Sequence, residues 1–256
     1  MSWDPAQYLK FAGERLRPAV DLLARVALEA PATVVDLGCG AGNLAPLISA
    51  RWPLAQLIGV DSSPDMLAKA RADYPRVQFV RADIGAWRPA QPVDVLYSNA
   101  ALQWVDGHDR LLPMLLGSLV PGGVLAVQMP RNFGAPSHTT IVETIEQGPW
   151  RARLEPLLRR EPVQAPGVYW RLLQGRCAEL QIWETEYLQV LSGENPVAEY
   201  TKGTWLKQFI DRLEGAEREA FEADYRARVR AWYPAEASGR TLFPFRRLFI
   251  VARRPA

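Results

Sequence analysis

Apolar runs and helical patterns alternate through the first half of the chain. TVVDL (33–37), QLIGVD (56–61), VQFV (77–80), VDVLYS (93–98) and GVLAVQM (123–129) are apolar almost throughout. That is the pattern of strands covered on both faces. Between them, LAPLISARW, DMLAKARADY and DRLLPMLLGSL carry apolar residues at helical spacing. The alternation predicts an α/β fold, a mostly parallel sheet with helices on both faces. A helix from Pro5 to Leu28 is expected before it, and Pro121-Gly122-Gly123 reads as a turn between a helix and the fifth strand.

The second half is less regular. Five prolines between 131 and 176 (Pro136, Pro149, Pro156, Pro162 and Pro166) predict short or broken helices there. A strand is expected near 180–191, Glu- and Arg-rich helices over 197–232, and a closing strand near 244–253. Segments 131–176 and 192–240 then read as a helical cap around a core formed by 30–130 and the two late strands. No linker divides the chain, so 1–256 is expected to be one domain.

Composition narrows the class. The chain has 256 residues, 48% hydrophobic and 23% charged, with a net charge of +2. That balance gives no reason to expect a nucleic-acid or membrane partner. The two cysteines, Cys39 and Cys177, make neither a disulfide framework nor a zinc-binding spacing, and no metal is expected. No signal peptide or membrane span is visible, which predicts a cytoplasmic protein.

The strongest local signal is Val34-Val35-Asp36-Leu37-Gly38-Cys39-Gly40-Ala41-Gly42. A buried strand enters a glycine-rich turn and then a helix, whose N-terminus offers unpaired N–H groups. The second strand ends in Asp61, placed to accept hydrogen bonds from ribose hydroxyls. The spacing Gly38-x-Gly40-x-Gly42 departs from the dinucleotide pattern. Asp36 would repel a pyrophosphate but suits an ammonium, which points to S-adenosylmethionine. Asn99 follows a buried strand at the edge where ligands sit in such sheets.

VVDLGCGAG followed by GVDSSPDML resembles the class I S-adenosylmethionine-dependent methyltransferases over residues 30–130. The resemblance implies a doubly wound, Rossmann-like sheet of seven strands, the last antiparallel. It implies that Gly38, Gly40 and Gly42 pack on the methionyl part of the cofactor, that Asp61 holds the ribose and that Met66 packs on adenine. Asp83 and Ile84 would lie near the adenine amino group, and Asn99 would face cofactor and acceptor. Arg15, in the run Glu14-Arg15-Leu16-Arg17-Pro18, would meet the cofactor's carboxylate.

The run Ser98-Asn99-Ala100-Ala101-Leu102-Gln103-Trp104 lacks the Pro-Pro-aromatic loop of enzymes that methylate nucleic-acid bases, so a small acceptor is expected. MSWDPAQYLKF, SNAALQWV and the closing RRLFIVARR extend the resemblance to both chain ends. They liken it to family members that esterify one carboxylate of an unsaturated tricarboxylic acid, trans-aconitate foremost. A carboxylate is already ionised near neutral pH, so no general base is expected and catalysis is alignment. The other carboxylates need cations and donors. Candidates are Arg246 and Arg247, of which alternation along a strand lets one face the site, with His138, Tyr8, Tyr169, Gln103 and Trp104. Other small acceptors, a non-catalytic cofactor binder and a dinucleotide-dependent oxidoreductase remain as alternatives.

Overall fold

The computed structural model describes residues 12–256, with side chains from residue 16 onward. In chain order the elements are α1 (Ala12–Ala24), β1 (Thr33–Leu37), α2 (Ala45–Arg51), β2 (Gln56–Asp61), α3 (Pro64–Asp73), β3 (Gln78–Arg81), β4 (Val93–Asn99), α4 (His108–Gly117) and β5 (Leu119–Pro130). Then come α5 (Pro136–Gln147), α6 (Arg151–Leu154), α7 (Pro166–Leu173), β6 (Glu179–Ser192), α8 (Pro196–Lys202), α9 (Lys207–Ile210), α10 (Gly215–Trp232) and β7 (Arg240–Arg253).

The seven strands form one sheet in the order β3-β2-β1-β4-β5-β7-β6. β1 to β5 pair in parallel, and β7 runs antiparallel to both β5 and β6. Strand order reverses between β1 and β4, which opens a crevice at their carboxyl ends. On one face Val34, Val95, Tyr97, Ala126 and Phe249 pack against Leu22 of α1 and Ile48 of α2. On the other, Leu37, Leu96, Val127 and Ile250 pack against α4 and α7. A third apolar cluster joins α5, α8, α9 and α10 to Phe243 and Phe245 of β7. It forms the cap.

Two boundaries differ from expectation. Pro121-Gly122-Gly123 is a bulge inside β5 and does not precede the strand. The β4–β5 register jumps from Val93↔Leu119 to Val95↔Val124, with Gly122 at φ 75°. β7 starts at Arg240, before the expected 244. Its first half pairs with β6 and reaches past β5, which joins only at Arg247. Pro244 is tolerated because it lies in that one-sided stretch.

Candidate functional site

β1 ends in the glycine-rich turn. A Cβ at Gly38 would overlap with that of Ala101, so only glycine lets this turn lie against the loop after β4. At Gly40 a Cβ would meet nothing within 4 Å, so this backbone faces open space. Gly42 backs onto Tyr74 and Phe79. The Gly40 amide donates to Asp61 Oδ2 at 2.8 Å, and the Ser63 amide donates to Asp61 Oδ1 at 2.9 Å. These bonds fix the Asp61 carboxylate at the end of β2 and leave it further acceptor capacity.

Asp36 is 3% exposed and has no hydrogen-bond or ion-pair partner among the described residues. Burial, and secondarily the charge of Asp61, push its pKa up to about 7. An unpartnered buried carboxylate is costly unless a cation joins it. Asn99, at the end of β4, has a buried Oδ1 without a partner. The next residue, Ala100, has φ 53°, the one non-glycine residue with positive φ among those described. Backbone strain of this kind concentrates at functional edges. An open glycine face, a lone carboxylate and an orphaned amide oxygen thus converge, and they fit a ligand carrying an ammonium and hydroxyl groups.

Ile84 touches this turn, since its Cδ1 lies 3.7 Å from a Cβ built on Gly38. Met66 is buried in the first turn of α3, which Ser63 caps. Asp83 is exposed, and its Oδ1 accepts from the Gly85 amide at 2.9 Å, a local turn bond. Gln103 is buried, donates through Nε2 to the Ala100 carbonyl at 2.6 Å and keeps Oε1 unpaired. Tyr8 and the side chain of Arg15 lie outside the described residues.

Two acceptor candidates are not brought to this edge. Arg246 points outward, half exposed, with Glu186 at 3.5 Å. Tyr169 is fully buried under α4. Its hydroxyl meets His108 Nδ1 at 2.8 Å and accepts from the Gln164 amide at 3.1 Å. His108 is 9% exposed and forms part of that scaffold.

Arg247 faces inward at 3% exposure. Its guanidinium stands 4.8 Å from the centre of the Phe245 ring. It donates to Gln128 Oε1 at 3.4 Å and to the Tyr200 hydroxyl at 3.2 Å, and its Nε has no partner. No carboxylate among the described residues pairs with it. A buried cation without a counter-anion costs several kcal/mol, roughly, unless a ligand supplies one. Asn99 and Gln128 are register partners, and Gln128 and Arg247 bond to each other. All three share the α1 face of the sheet with Asp36.

The cap closes over this row. Trp104 stacks on Trp205 at 4.7 Å, and Phe133 meets Trp205 at 4.8 Å. His138 lies against Phe133 and Phe245 and borders a cleft of about 280 Å³ shared with Trp205 and Arg159. Burial pushes its pKa down to about 4, so at neutral pH it is no cation. Asn132 donates to Ser137 Oγ at 3.1 Å, and the same hydroxyl is hydrogen-bonded to His138 Nδ1 at 3.0 Å. Sequence reasoning missed Gln128, Tyr200, Trp205 and Phe245. Only Gln128 left a signal, as the one polar residue in GVLAVQM.

The fold and this edge define a methyltransferase. The methyltransferase-domain family matches residues 34–123. A solved phosphoethanolamine N-methyltransferase 2 from Haemonchus contortus shares the fold at TM-score 0.59 and 14% identity, covering 98% of this chain and 56% of that one. Relatives at much higher identity narrow the class. A trans-aconitate 2-methyltransferase of Azoarcus sp. (strain BH72) is 49% identical over 253 residues, 99% of both chains. Another, from Rhodopseudomonas palustris (strain BisB18), is 47% identical over 98% of both. The chain belongs to the trans-aconitate 2-methyltransferase family.

Proposed function

We propose that the protein transfers a methyl group from S-adenosylmethionine to one carboxylate of trans-aconitate, giving a monomethyl ester. The carrying observation is Arg247, a buried guanidinium without a counter-anion among the described residues, on the sheet face that also carries Asp36 and Asn99. Family membership supports the acceptor's identity.

When bound, S-adenosylmethionine supplies a methyl group on a sulfonium whose thioether is the leaving group. Asp36 and Asn99 would hold its ammonium, Asp61 its ribose hydroxyls, and the Gly38–Gly42 backbone its methionyl part. Met66, Asp83 and Ile84 would border the adenine, and Arg15 would meet the carboxylate. Gln103 and Trp104 would bound the acceptor on the β4 side, and Arg247 would neutralise a carboxylate there. His138 would contribute a neutral imidazole. Tyr8 stays an acceptor-binding proposal from the sequence.

No side chain needs to take a proton, because the acceptor reacts as its carboxylate. The protein's work is alignment, worth about 7–11 kcal/mol where geometry is well held. The aromatic cap of Trp104, Trp205 and Phe133 keeps water from the reacting atoms. We read the chain as one catalytic domain acting in the cytoplasm, without nucleic-acid or membrane partners and without a metal. Among the described residues no helix is long and apolar enough to cross a membrane.

The test is turnover. Protein, labelled S-adenosylmethionine and trans-aconitate should yield S-adenosylhomocysteine and a base-labile monomethyl ester. Binding of S-adenosylhomocysteine with no ester formed would overturn the acceptor assignment.

A further inference from the structure

Among the described residues, Asn99 Oδ1 on β4, Gln128 Nε2 on β5 and Arg247 Nε on β7 are buried and unpaired, as are both amide atoms of Gln189 further out on β6. Asn99 and Gln128 occupy the same rung of neighbouring strands. One lacks a donor and the other an acceptor, yet they do not bond to each other. Gln128 is 0% exposed, so its free N–H groups have no water to fall back on.

Arg247 sets the direction of that amide. A guanidinium donates only, so Gln128 must turn its Oε1 toward Arg247. Its Nε2 is thereby turned away from the cation. A neutral donor thus stands between the cofactor-side Asn99 and the cationic Arg247.

The chemistry separates the two donors. As a carboxylate oxygen forms its bond to the methyl carbon, the carbon–sulfur bond breaks and its electron pair leaves with sulfur. No proton moves, and the carboxylate loses its negative charge. A guanidinium on that carboxylate would favour the ground state over the transition state and slow the step. A neutral amide imposes less of that penalty while still fixing orientation. Arg247 is better matched to a carboxylate whose charge persists.

From this placement we infer that Gln128 Nε2 orients the reacting carboxylate, while Arg247 and the Tyr200 hydroxyl hold a second, unreacting one. The assignment rests on the carboxylate-methylation reading above. It makes Gln128 a positioning residue. The acceptor then needs two carboxylates, and the one that reaches Gln128 is esterified.

The test compares Gln128→Met and Gln128→Glu with the parent enzyme. Gln128→Met removes the donor at similar volume. It should lower kcat about 10- to 100-fold with a much smaller change in KM for trans-aconitate. Gln128→Glu places a carboxylate beside Arg247. It should raise that KM at least about 30-fold and raise the Tm, because the buried cation gains a partner. Affinity for S-adenosylhomocysteine should stay within about twofold in both. A folded Gln128→Met enzyme with parental kcat overturns the assignment. If that variant does not fold, parental KM in Gln128→Glu overturns it. An inactive parent enzyme would instead sink the underlying reading, so the two failures are distinguishable.

Discussion

Gly38 and Ala101 approach so closely that a methyl group on Gly38 would overlap with that of Ala101. The contact locks the turn after β1 to the loop after β4, across the switch point of the sheet. Gly38→Ala must displace that loop as well as hold alanine at φ 84°. It should cost more than the about 1–2 kcal/mol of left-handed backbone alone. Gly40→Ala meets open space, so its stability loss should stay near that range. Denaturant unfolding separates the two. Both variants should bind S-adenosylhomocysteine more weakly, Gly40→Ala because its methyl group projects into the donor site.

Asp36 should make donor binding pH-dependent. Its folded pKa is about 7 against an ordinary 3.8. Between those values the folded protein keeps a proton that the unfolded chain has lost, so stability falls as pH rises through the window. The penalty is complete above about 7. An ammonium beside Asp36 reverses the preference. The Kd for S-adenosylhomocysteine should therefore rise below pH 7, approaching about tenfold per unit. Calorimetric titration from pH 5 to 8 should show that slope in the parent and lose it in Asp36→Asn.

Asp61 is pinned by the amides of Gly40 and Ser63. Asp61→Ala should weaken donor binding about 10- to 100-fold, the worth of charge-assisted hydrogen bonds. The acceptor KM, measured at saturating donor, should change little. Unchanged donor binding would remove Asp61 from the ribose site.

Much of this was legible in the sequence, and the boundary falls where physics places it. β1 and β2 match their apolar runs at both ends because both faces are buried and the flanking turns are strong. Asp36, the glycines and Asp61 could also be grouped from the sequence, because they follow one another along a single βαβ unit. The rest was legible only in part. The closing strand offered Arg247 as a candidate, but Gln128, Tyr200 and Trp205 come from β5, α8 and the loop before α9, and only tertiary pairing gathers them beside it. For Tyr169 the sequence is ambiguous, because an inward tyrosine on an amphipathic helix looks the same whether it lines a cavity or fills a core, and here it is fully buried against His108.

Tyr169→Phe should make that distinction measurable. It strips the hydroxyl shared by His108 Nδ1 and the Gln164 amide. A stability loss of about 1–3 kcal/mol is expected from these stranded partners. KM for the acceptor should not move. A raised KM at unchanged stability would return Tyr169 to the acceptor site.

Arg247→Met should split stability from function in the opposite sense. Removing the buried guanidinium relieves its desolvation but strands Gln128 Oε1, so the two effects offset and stability should stay within about 2 kcal/mol of the parent. The acceptor KM should rise about 10- to 150-fold through the lost charged hydrogen bonds. Donor affinity should hold.

The most direct measurement is the ratio of kcat/KM for trans-aconitate to that for an unsaturated monocarboxylate of similar size, with S-adenosylmethionine saturating. If a buried cation holds a second carboxylate, trans-aconitate should be favoured by at least about 100-fold. Equal values for the two acids would contradict recognition of a polycarboxylate at Arg247.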